Sequence, residues 1–292
     1  MKIGITGARG FIGGHLAKLA REHGHQVVSF SRHPEPLPGF LEARPFSLDT
    51  PPDVSGLGAL VHLAGESIMG LWTPAKKRRI RESRVQGTRR VVEAIAAARS
   101  GPSVFICGSA IGFYGDTGER EVSEGSPSGT GFLADVCQSW EAEARAATIR
   151  TVRIRTGFVL GRDGGAMQLV APAFRLCLGG NLGDGRQWMS CVHVDDVAGL
   201  ILHAIESESI EGPLNAVLPD PVRNADFTRA VARAVHRPAI IPAPAFALKI
   251  GLGELSHLLL DSQRVVPTAT LASGYRFRHP TLESAVAAAV RS

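Results

Sequence analysis

The sequence lacks several features that would indicate other classes of protein. It has no run approaching the roughly twenty apolar residues that a membrane-spanning helix needs, so we expect no membrane partner. Its four cysteines, Cys107, Cys137, Cys177 and Cys191, stand far apart in apolar surroundings. The histidines are equally scattered, and we predict no bound metal. Isolated thiols are typical of a reducing compartment and a strand pattern opens the chain, so we expect a cytoplasmic protein without a signal peptide.

Charge excess is also small, with a formal net charge of +5 over 292 residues. Part of it comes from residues 76–90, which are rich in Lys and Arg. Such a run is either the solvated face of a helix or a surface for nucleic acid. Only Trp72 stands near it, so no platform for stacking bases is visible. We expect the solvated face and no nucleic-acid partner.

The first residues carry the strongest local pattern. A short apolar run leads into Gly7, Gly10 and Gly13, and an amphipathic stretch follows. Glycine tolerates positive φ and lets the backbone approach a ligand closely. The helix that follows offers unpaired N–H groups to a phosphate. Because strand, glycine turn and helix occur in this order, the pattern predicts a dinucleotide site rather than an ordinary turn.

The end of the second predicted strand, Gln26 to Ser31, indicates which dinucleotide binds. An NAD site usually places Asp or Glu there, whereas this chain continues Ser31, Arg32, His33. Arg32, together with Arg9 in the glycine turn, is suited to a 2′-phosphate. We therefore predict NADP(H), with exposed surface arginines as the alternative.

Strand and helix patterns then alternate, which predicts a Rossmann-type doubly wound parallel sheet with a smaller, mostly helical C-terminal lobe on the substrate side. We place the dinucleotide domain at residues 1–160, with 187–207 returning to it. Residues 161–292 are expected to form mainly the substrate lobe, with a family-specific region at 213–292. Within this scheme a helix from Thr73 to about Arg99 has a possible break at Gly87, and Asn224 is a predicted N-cap.

A buried central strand is predicted before Gly65, whose lack of a side chain would let a cofactor lie close. Glu66 follows at the carboxyl end of that strand, where open α/β sheets bind ligands. It is a candidate for contact with cofactor or substrate, or simply a turn cap.

The whole chain resembles the extended or atypical short-chain dehydrogenase/reductases, and within them the epimerase family proteins related to nucleotide-sugar epimerases. The matching stretches are Thr6–Gly13, His62–Glu66, Ser83–Thr88, Ser109–Gly115, Arg155–Gly161, Val192–Asp196 and Gly274–Phe277. The resemblance implies a Rossmann sheet that holds NADP(H). The cofactor contacts that it suggests are Gly7, Gly10, Phe11, Ile12, Gly13, Ser31, Arg32, Leu63, Ala64, Arg84 and Arg155.

The tyrosine–lysine pair of that superfamily is missing. Its members use a tyrosine as acid or base, a lysine four residues later, and an orienting serine or threonine. Here the only tyrosines are Tyr114 and Tyr275, and no lysine lies between Lys77 and Lys249. The helix that should carry the pair, residues 132–141, has apolar residues at the tyrosine position. Ala110 competes with Ser109 for the position of the orienting serine.

Recognition of a sugar nucleotide is also altered. Met189 stands where nucleotide-sugar relatives carry an arginine that contacts the diphosphate, and Arg186 is a possible substitute.

Two functions therefore remain open. The first is an NADP(H)-dependent oxidoreductase or epimerase that acts on a small carbonyl or hydroxyl substrate with a rearranged acid–base group. Tyr114 is the main candidate, and Ser109, Glu66 and Asp135 are weaker ones. The alternative is a non-catalytic NADP(H)-binding sensor or scaffold. Neither the substrate nor the oligomeric state follows from the sequence, although a homodimer is one expected assembly.

Overall fold

A computed structural model describes residues 1–290 of the chain. Within them the strands are β1 (Lys2–Thr6), β2 (Gln26–Ser31), β3 (Glu42–Pro45), β4 (Ala59–His62), β5 (Val104–Ala110), β6 (Glu121–Val122), β7 (Arg150–Thr156), β8 (Phe158–Leu160), β9 (Trp188–Met189), β10 (Cys191–His193), β11 (Gly212–Ala216), β12 (Val222–Arg223) and β13 (Arg264–Val265).

The α-helices of the same residues are α1 (Phe11–Glu22), α2 (Pro74–Ala97), α3 (Phe132–Arg145), α4 (Met167–Arg175), α5 (Val194–Glu206), α6 (Asn224–Ala234), α7 (Ala245–Leu252), α8 (His257–Leu260), α9 (Thr268–Ala272) and α10 (Leu282–Val290). Single 3₁₀ turns lie at Ile111–Tyr114 and Gly253–Ser256. No helix within residues 1–290 combines the length and the apolar content needed to cross a membrane.

The central sheet has seven parallel strands in the order β11-β7-β5-β4-β1-β2-β3. This confirms the predicted doubly wound α/β class. Alternate strand residues face opposite layers: Ile3 and Ile5 join the core formed with α1 and α5, and Leu60 and Phe105 join the core formed with α2 and α3. Strands buried on both faces need apolar residues on both, which is why β4 and β5 read as continuous apolar runs.

The last strand of the sheet lies outside the residues that we had assigned to the dinucleotide domain. Gly212–Ala216 pairs with β7 as an edge strand, so the dinucleotide domain includes residues that we had placed in the C-terminal region beginning at 213. The second core combines α4, which precedes β11, with α6 and α10, which follow it. Met167 and Phe174 of α4 pack there with Phe227 of α6 and Leu282 of α10.

Two helix features also differ from the sequence prediction. α2 continues through Gly87, which is buried beside His62 within the packed face of the helix. Helix α6 begins at Asn224 rather than after it. The Asn224 side chain accepts a hydrogen bond from Leu182 N at 2.8 Å and so joins α6 to the preceding loop instead of capping the helix.

Candidate functional site

The glycine turn after β1 has the geometry of a phosphate cradle. Gly7 has φ +74°, and its carbonyl accepts a hydrogen bond from Gly10 N at 2.8 Å. A Cβ at Gly13 would lie 2.3 Å from Gly7 O, so only glycine fits there. Among the described side chains none caps the start of α1, and its first turn holds no acidic residue. The N–H groups of that turn are therefore left to bind an anion.

A polar contact fixes the ends of β1 and β4 against each other. Thr6 Oγ1 accepts hydrogen bonds from Leu63 N and Ala64 N, each at 3.1 Å, and lies 2.7 Å from His62 Nδ1. Burial lowers the pKa of His62 to about 4, and the Arg84 charge acts in the same direction, so the ring is neutral. Sequence reasoning treated His62 only as a scattered histidine; the available signal was a polar residue inside an otherwise apolar strand.

The predicted phosphate-binding arginines lie in the segments that follow adjacent strands. Arg9 is exposed and donates to Glu35 Oε2 at 3.2 Å. Arg32 is exposed directly after β2, and Ser31 Oγ donates to His33 O at 2.7 Å. Both residues are thus exposed after neighbouring parallel strands, although Glu35 competes for Arg9.

A cavity of about 540 Å³ lies over the start of α1. The glycine turn, with Arg9 and Lys18, lines one side, and residues 163–168 line the other. Phe11 packs beneath this second loop, where a Cβ at Gly164 would lie 2.2 Å from its ring. The small loop residues therefore allow Phe11 to fill the space beneath them.

The segment after β4 is held by α2. Ser83 Oγ accepts a hydrogen bond from Glu66 N at 2.9 Å, and Arg84 Nη1 donates to Glu66 O at 2.9 Å. A Cβ at Gly65 would lie 3.3 Å from the guanidinium carbon of Arg84. Arg84 is half-buried, and burial lowers its pKa. The structure thus places Arg84 at the carboxyl end of β4.

Glu66 forms ion pairs with two residues of α2. Its Oε1 lies 2.7 Å from Lys76 Nζ and 3.5 Å from Arg79 Nε. The hydrogen bond from Lys76 holds the pKa of Glu66 below its usual range. The side chain is therefore a carboxylate that can accept a proton only weakly and has none to donate at neutral pH.

A buried polar network lies behind β5 and β7. Arg155, which is 3% exposed, donates from Nε and Nη2 to the two carboxylate oxygens of Glu141 at 2.8 and 2.9 Å. Ser109 Oγ donates to Glu141 Oε1 at 2.8 Å. Tyr114 Oη donates to Asn215 Oδ1 at 2.8 Å and accepts from Arg155 Nη1 at 2.9 Å. These bonds join β5, α3, β7 and β11.

This network does not suit the roles expected for its members. Tyr114 is 1% exposed, its hydroxyl has both a donor and an acceptor partner, and burial raises its pKa. It therefore does not fit as a proton donor to a substrate. Ser109 is equally buried and bonded to Glu141, and Arg155 is enclosed in its pair rather than open to a cofactor. Asp135 lies exposed on α3.

The first turns of α3, the helix on which the resemblance places a tyrosine and a lysine, carry Leu133 and Cys137. Leu133 is half-buried on the first turn of α3, and Cys137 is buried one turn later. Burial raises the pKa of the Cys137 thiol to about 12. Met189 is buried, and its sulfur lies 3.1 Å from Asn224 Nδ2, so it offers nothing to a diphosphate.

Histidines that are distant in sequence meet at the start of α5. His193 Nδ1 accepts a hydrogen bond from Asp195 N at 3.2 Å and so caps the helix. His15 lies between Asp195 and Asp163, at 3.0 and 3.1 Å. Ligand atoms of His193, Asp195 and His279 lie within 4.8 Å of one another. The expectation of scattered histidines is thus wrong for this cluster, although the positive end of α5 disfavours a cation beside Asp195.

Comparisons with known proteins cover nearly the whole chain. Residues 3–216 match the NAD dependent epimerase/dehydratase family, and residues 243–289 match a domain of unknown function, DUF1731. The chain is 36% identical to the chloroplastic epimerase family protein SDR39U1 homolog of Arabidopsis thaliana, over 99% of this chain and 86% of that protein. It is 36% identical to the epimerase family protein YfhF of Bacillus subtilis, over 98% of this chain and 97% of that protein.

Solved structures show the same similarity. The crystal structure of human epimerase family protein SDR39U1 with NADPH superposes with a TM-score of 0.92 at 34% identity, covering 99% of both chains. UDP-glucose 4-epimerase of Thermus thermophilus, in complex with NAD, gives a TM-score of 0.75 at 18% identity, covering 99% of this chain and 98% of that one. The second similarity is one of fold.

Proposed function

The chain belongs to the NAD-dependent epimerase/dehydratase family, and we propose that it is an NADP(H)-dependent oxidoreductase or epimerase that acts on a small carbonyl or hydroxyl substrate. The observation that carries this proposal is the start of α1. It combines a left-handed Gly7, a Gly13 that admits no side chain, and a first turn without an acidic residue. Such a site fits a pyrophosphate.

The residues around this turn fit the remainder of NADP(H). Arg9 and Arg32 supply positive charge for the 2′-phosphate, with Ser31 beside them. Leu63, Ala64 and Gly65 present backbone at the carboxyl end of β4, held there by Thr6. The NADPH bound by the human relative supports the same cofactor for this chain. When bound, NADP(H) supplies or accepts a hydride.

The preference for NADPH over NADH tests the cofactor assignment. We expect tighter binding of NADPH in a fluorescence titration, because only NADPH carries the 2′-phosphate. Replacing Arg32 by Asp should erase or reverse the preference by placing a carboxylate at that phosphate. Equal affinities for NADPH and NADH in the unaltered protein would contradict this assignment. A substitution of the exposed Arg120 serves as the control.

A non-catalytic NADP(H)-binding protein is the second candidate. It is favoured by the absence of a Tyr-x-x-x-Lys pair from the sequence. Oxidation of NADPH by any carbonyl compound, at a rate proportional to protein concentration, would exclude it. A cytoplasmic location remains part of the proposal, and one relative is described as chloroplastic.

A further inference from the structure

Six large apolar side chains are exposed on the C-terminal half of the chain. Phe246 and Ile250 of α7 are 68% and 83% exposed. The other four are between 48% and 74% exposed and lie at residues 176–178 and 240–241: they are Leu176, Leu178, Ile240 and Ile241. Single exposed apolar residues are ordinary in folded proteins, whereas a contiguous set of them marks a binding surface.

Backbone contacts bring the two segments side by side. Ile241 N donates a hydrogen bond to Gly179 O at 3.1 Å, and Ala243 N donates to Asn181 O at 2.8 Å. Leu182 and Ala243 form a parallel bridge. The two segments therefore run in the same direction, and their exposed apolar side chains share one strip of the surface.

Helix α7 extends this strip. Ala245 and Lys249, on one side of the helix, line a cavity of about 510 Å³ together with Gly183 of the first segment. Phe246 and Ile250 are one turn apart and therefore share a second side of α7. No residue of α7 is buried by the described chain. We call the six apolar side chains of the two segments and α7 the apolar patch.

The apolar patch has the size of a protein interface. Six such side chains, on average about two-thirds exposed, present on the order of 700 Å² of surface, whereas the largest patch of a typical monomer covers roughly 300–600 Å². A standard interface covers about 800 Å² on each partner, and about 60% of that area is apolar. The patch thus supplies the apolar area that one side of a stable dimer needs.

One end of the apolar patch is cationic. Arg175 and Arg237 are exposed where the two segments begin. Neither side chain forms an ion pair within residues 1–290, and Arg237 Nη1 donates to the backbone oxygen of His236 at 3.2 Å. The cations of this end therefore have no acidic partner in the described part of their own copy.

The opposite end of the apolar patch holds an exposed carboxylate. Asp184 accepts a hydrogen bond from Arg186 N at 3.0 Å, and no described cation forms an ion pair with it. Arg186 is close enough to Glu119 for its charge to act on that carboxylate. The charge of Lys249 acts in the same way on Asp261. Asp184 is therefore the acidic group of this end that has no cation of its own.

We propose that the apolar patch binds a second copy of this chain about a two-fold axis. Such an axis brings the same surface of both copies together and reverses the direction of one against the other. The apolar side chains of the two copies then pack on each other, and Arg175 lies opposite the partner's Asp184. An anionic membrane surface would suit the cationic end alone, because it repels Asp184.

Light scattering during size-exclusion chromatography tests the surface. We expect the unaltered protein to be a dimer in the micromolar concentration range. Phe246→Glu and Ile250→Glu should each raise the dissociation constant by at least about a hundredfold, because the symmetry buries each new charge twice. Leu271→Glu replaces an exposed apolar residue on α9, outside the patch, and should leave the dimer intact.

Charge reversal tests how the two copies are arranged. Arg175→Glu and Asp184→Lys should each weaken the dimer several-fold, and the double variant should recover most of the affinity because the opposite charges meet again. A double variant that binds no better than the single ones would contradict the two-fold arrangement.

Two results would overturn the inference altogether. One is an unaltered protein that stays monomeric at about 100 µM, whether or not it sediments with vesicles of anionic lipid. The other is a dimer that both Phe246→Glu and Ile250→Glu leave intact. Neither result bears on NADPH binding, so the function proposed above is tested separately.

Discussion

At the scale of single residues, the glycine turn shows that one added carbon atom can decide whether a residue fits. Gly13 and Gly14 are neighbours on α1 and look alike in the sequence. A Cβ at Gly13 would lie 2.3 Å from Gly7 O, whereas at Gly14 the nearest atom, Ala8 O, would be 3.9 Å away. Only the first position therefore requires glycine for steric reasons.

This pair gives a matched prediction. Gly13→Ala should weaken NADPH binding by at least about tenfold, because the turn must open and its N–H groups move from the pyrophosphate. Gly14→Ala should leave binding unchanged and stabilise the helix by about 0.5–1 kcal/mol. Fluorescence titration and urea unfolding measure the two effects. Equal affinities for the two variants would show that the turn does not hold the cofactor.

His62 makes stability depend on pH. Its pKa is about 4 in the folded chain, mainly through burial, against an ordinary value of 6.5. The unfolded chain therefore takes up the proton first as the pH falls, so stability is complete above about 6.5 and is lost towards about 4. The loss attributable to His62 is about 3 kcal/mol.

Urea unfolding across this pH range measures the loss. The comparison must be with His62→Asn, which does not titrate, because burial also lowers the pKa of His193 to about 4. If the free energy of unfolding falls equally steeply with pH in the unaltered protein and in His62→Asn, the assignment to His62 is contradicted.

At the scale of elements, the sequence predicted features that depend on neighbouring residues better than contacts between distant segments. The strand–turn–helix at residues 2–22 could be predicted because each signal is local. The network around Arg155 could not, because Tyr114 and Asn215 are 101 residues apart in the sequence. Nothing near Tyr114 indicates that its hydroxyl is already used by β7 and β11, so an apparently reactive tyrosine proved to be a structural one.

Tyr114→Phe tests this structural role. The change leaves Asn215 Oδ1 without its donor and Arg155 Nη1 without one of its acceptors. We expect a loss of about 1–3 kcal/mol in the free energy of unfolding. NADPH affinity and the pH profile of any activity should stay as they are. A lost ionisation in that profile, with stability unchanged, would restore Tyr114 as a catalytic residue.

At the scale of the whole molecule, Glu124 joins the central sheet to the C-terminal segment that contains α9. Its carboxylate accepts from Asn215 N at 3.0 Å in the sheet and from Ala269 N and Thr270 N at 3.0 and 3.3 Å at the start of α9. Asn215 Nδ2 donates to Val266 O at 2.9 Å. β13 also pairs with β6. The sequence predicted a separate C-terminal lobe but not these contacts, because they join segments far apart in the chain.

Removal of residues 243–292 should therefore do more than delete a substrate lobe. It withdraws the α9 donors of Glu124 and uncovers the part of the sheet core against which Ala269, Tyr275 and Phe277 pack. We expect the shortened chain to lose cooperative urea unfolding, as followed by circular dichroism. A shortened chain that folds with the native transition and binds NADPH would show that the lobes are independent.

The bonds of Glu124 also bear on how such a chain changes over evolutionary time. A gene that lost the segment encoding residues 243–289 would keep an acidic residue whose partners had disappeared. We expect loss of the segment to be accompanied by replacement of Glu124, because the segment supplies two of the donors to its carboxylate. The family-specific segment and this one glutamate are expected to be inherited as a pair.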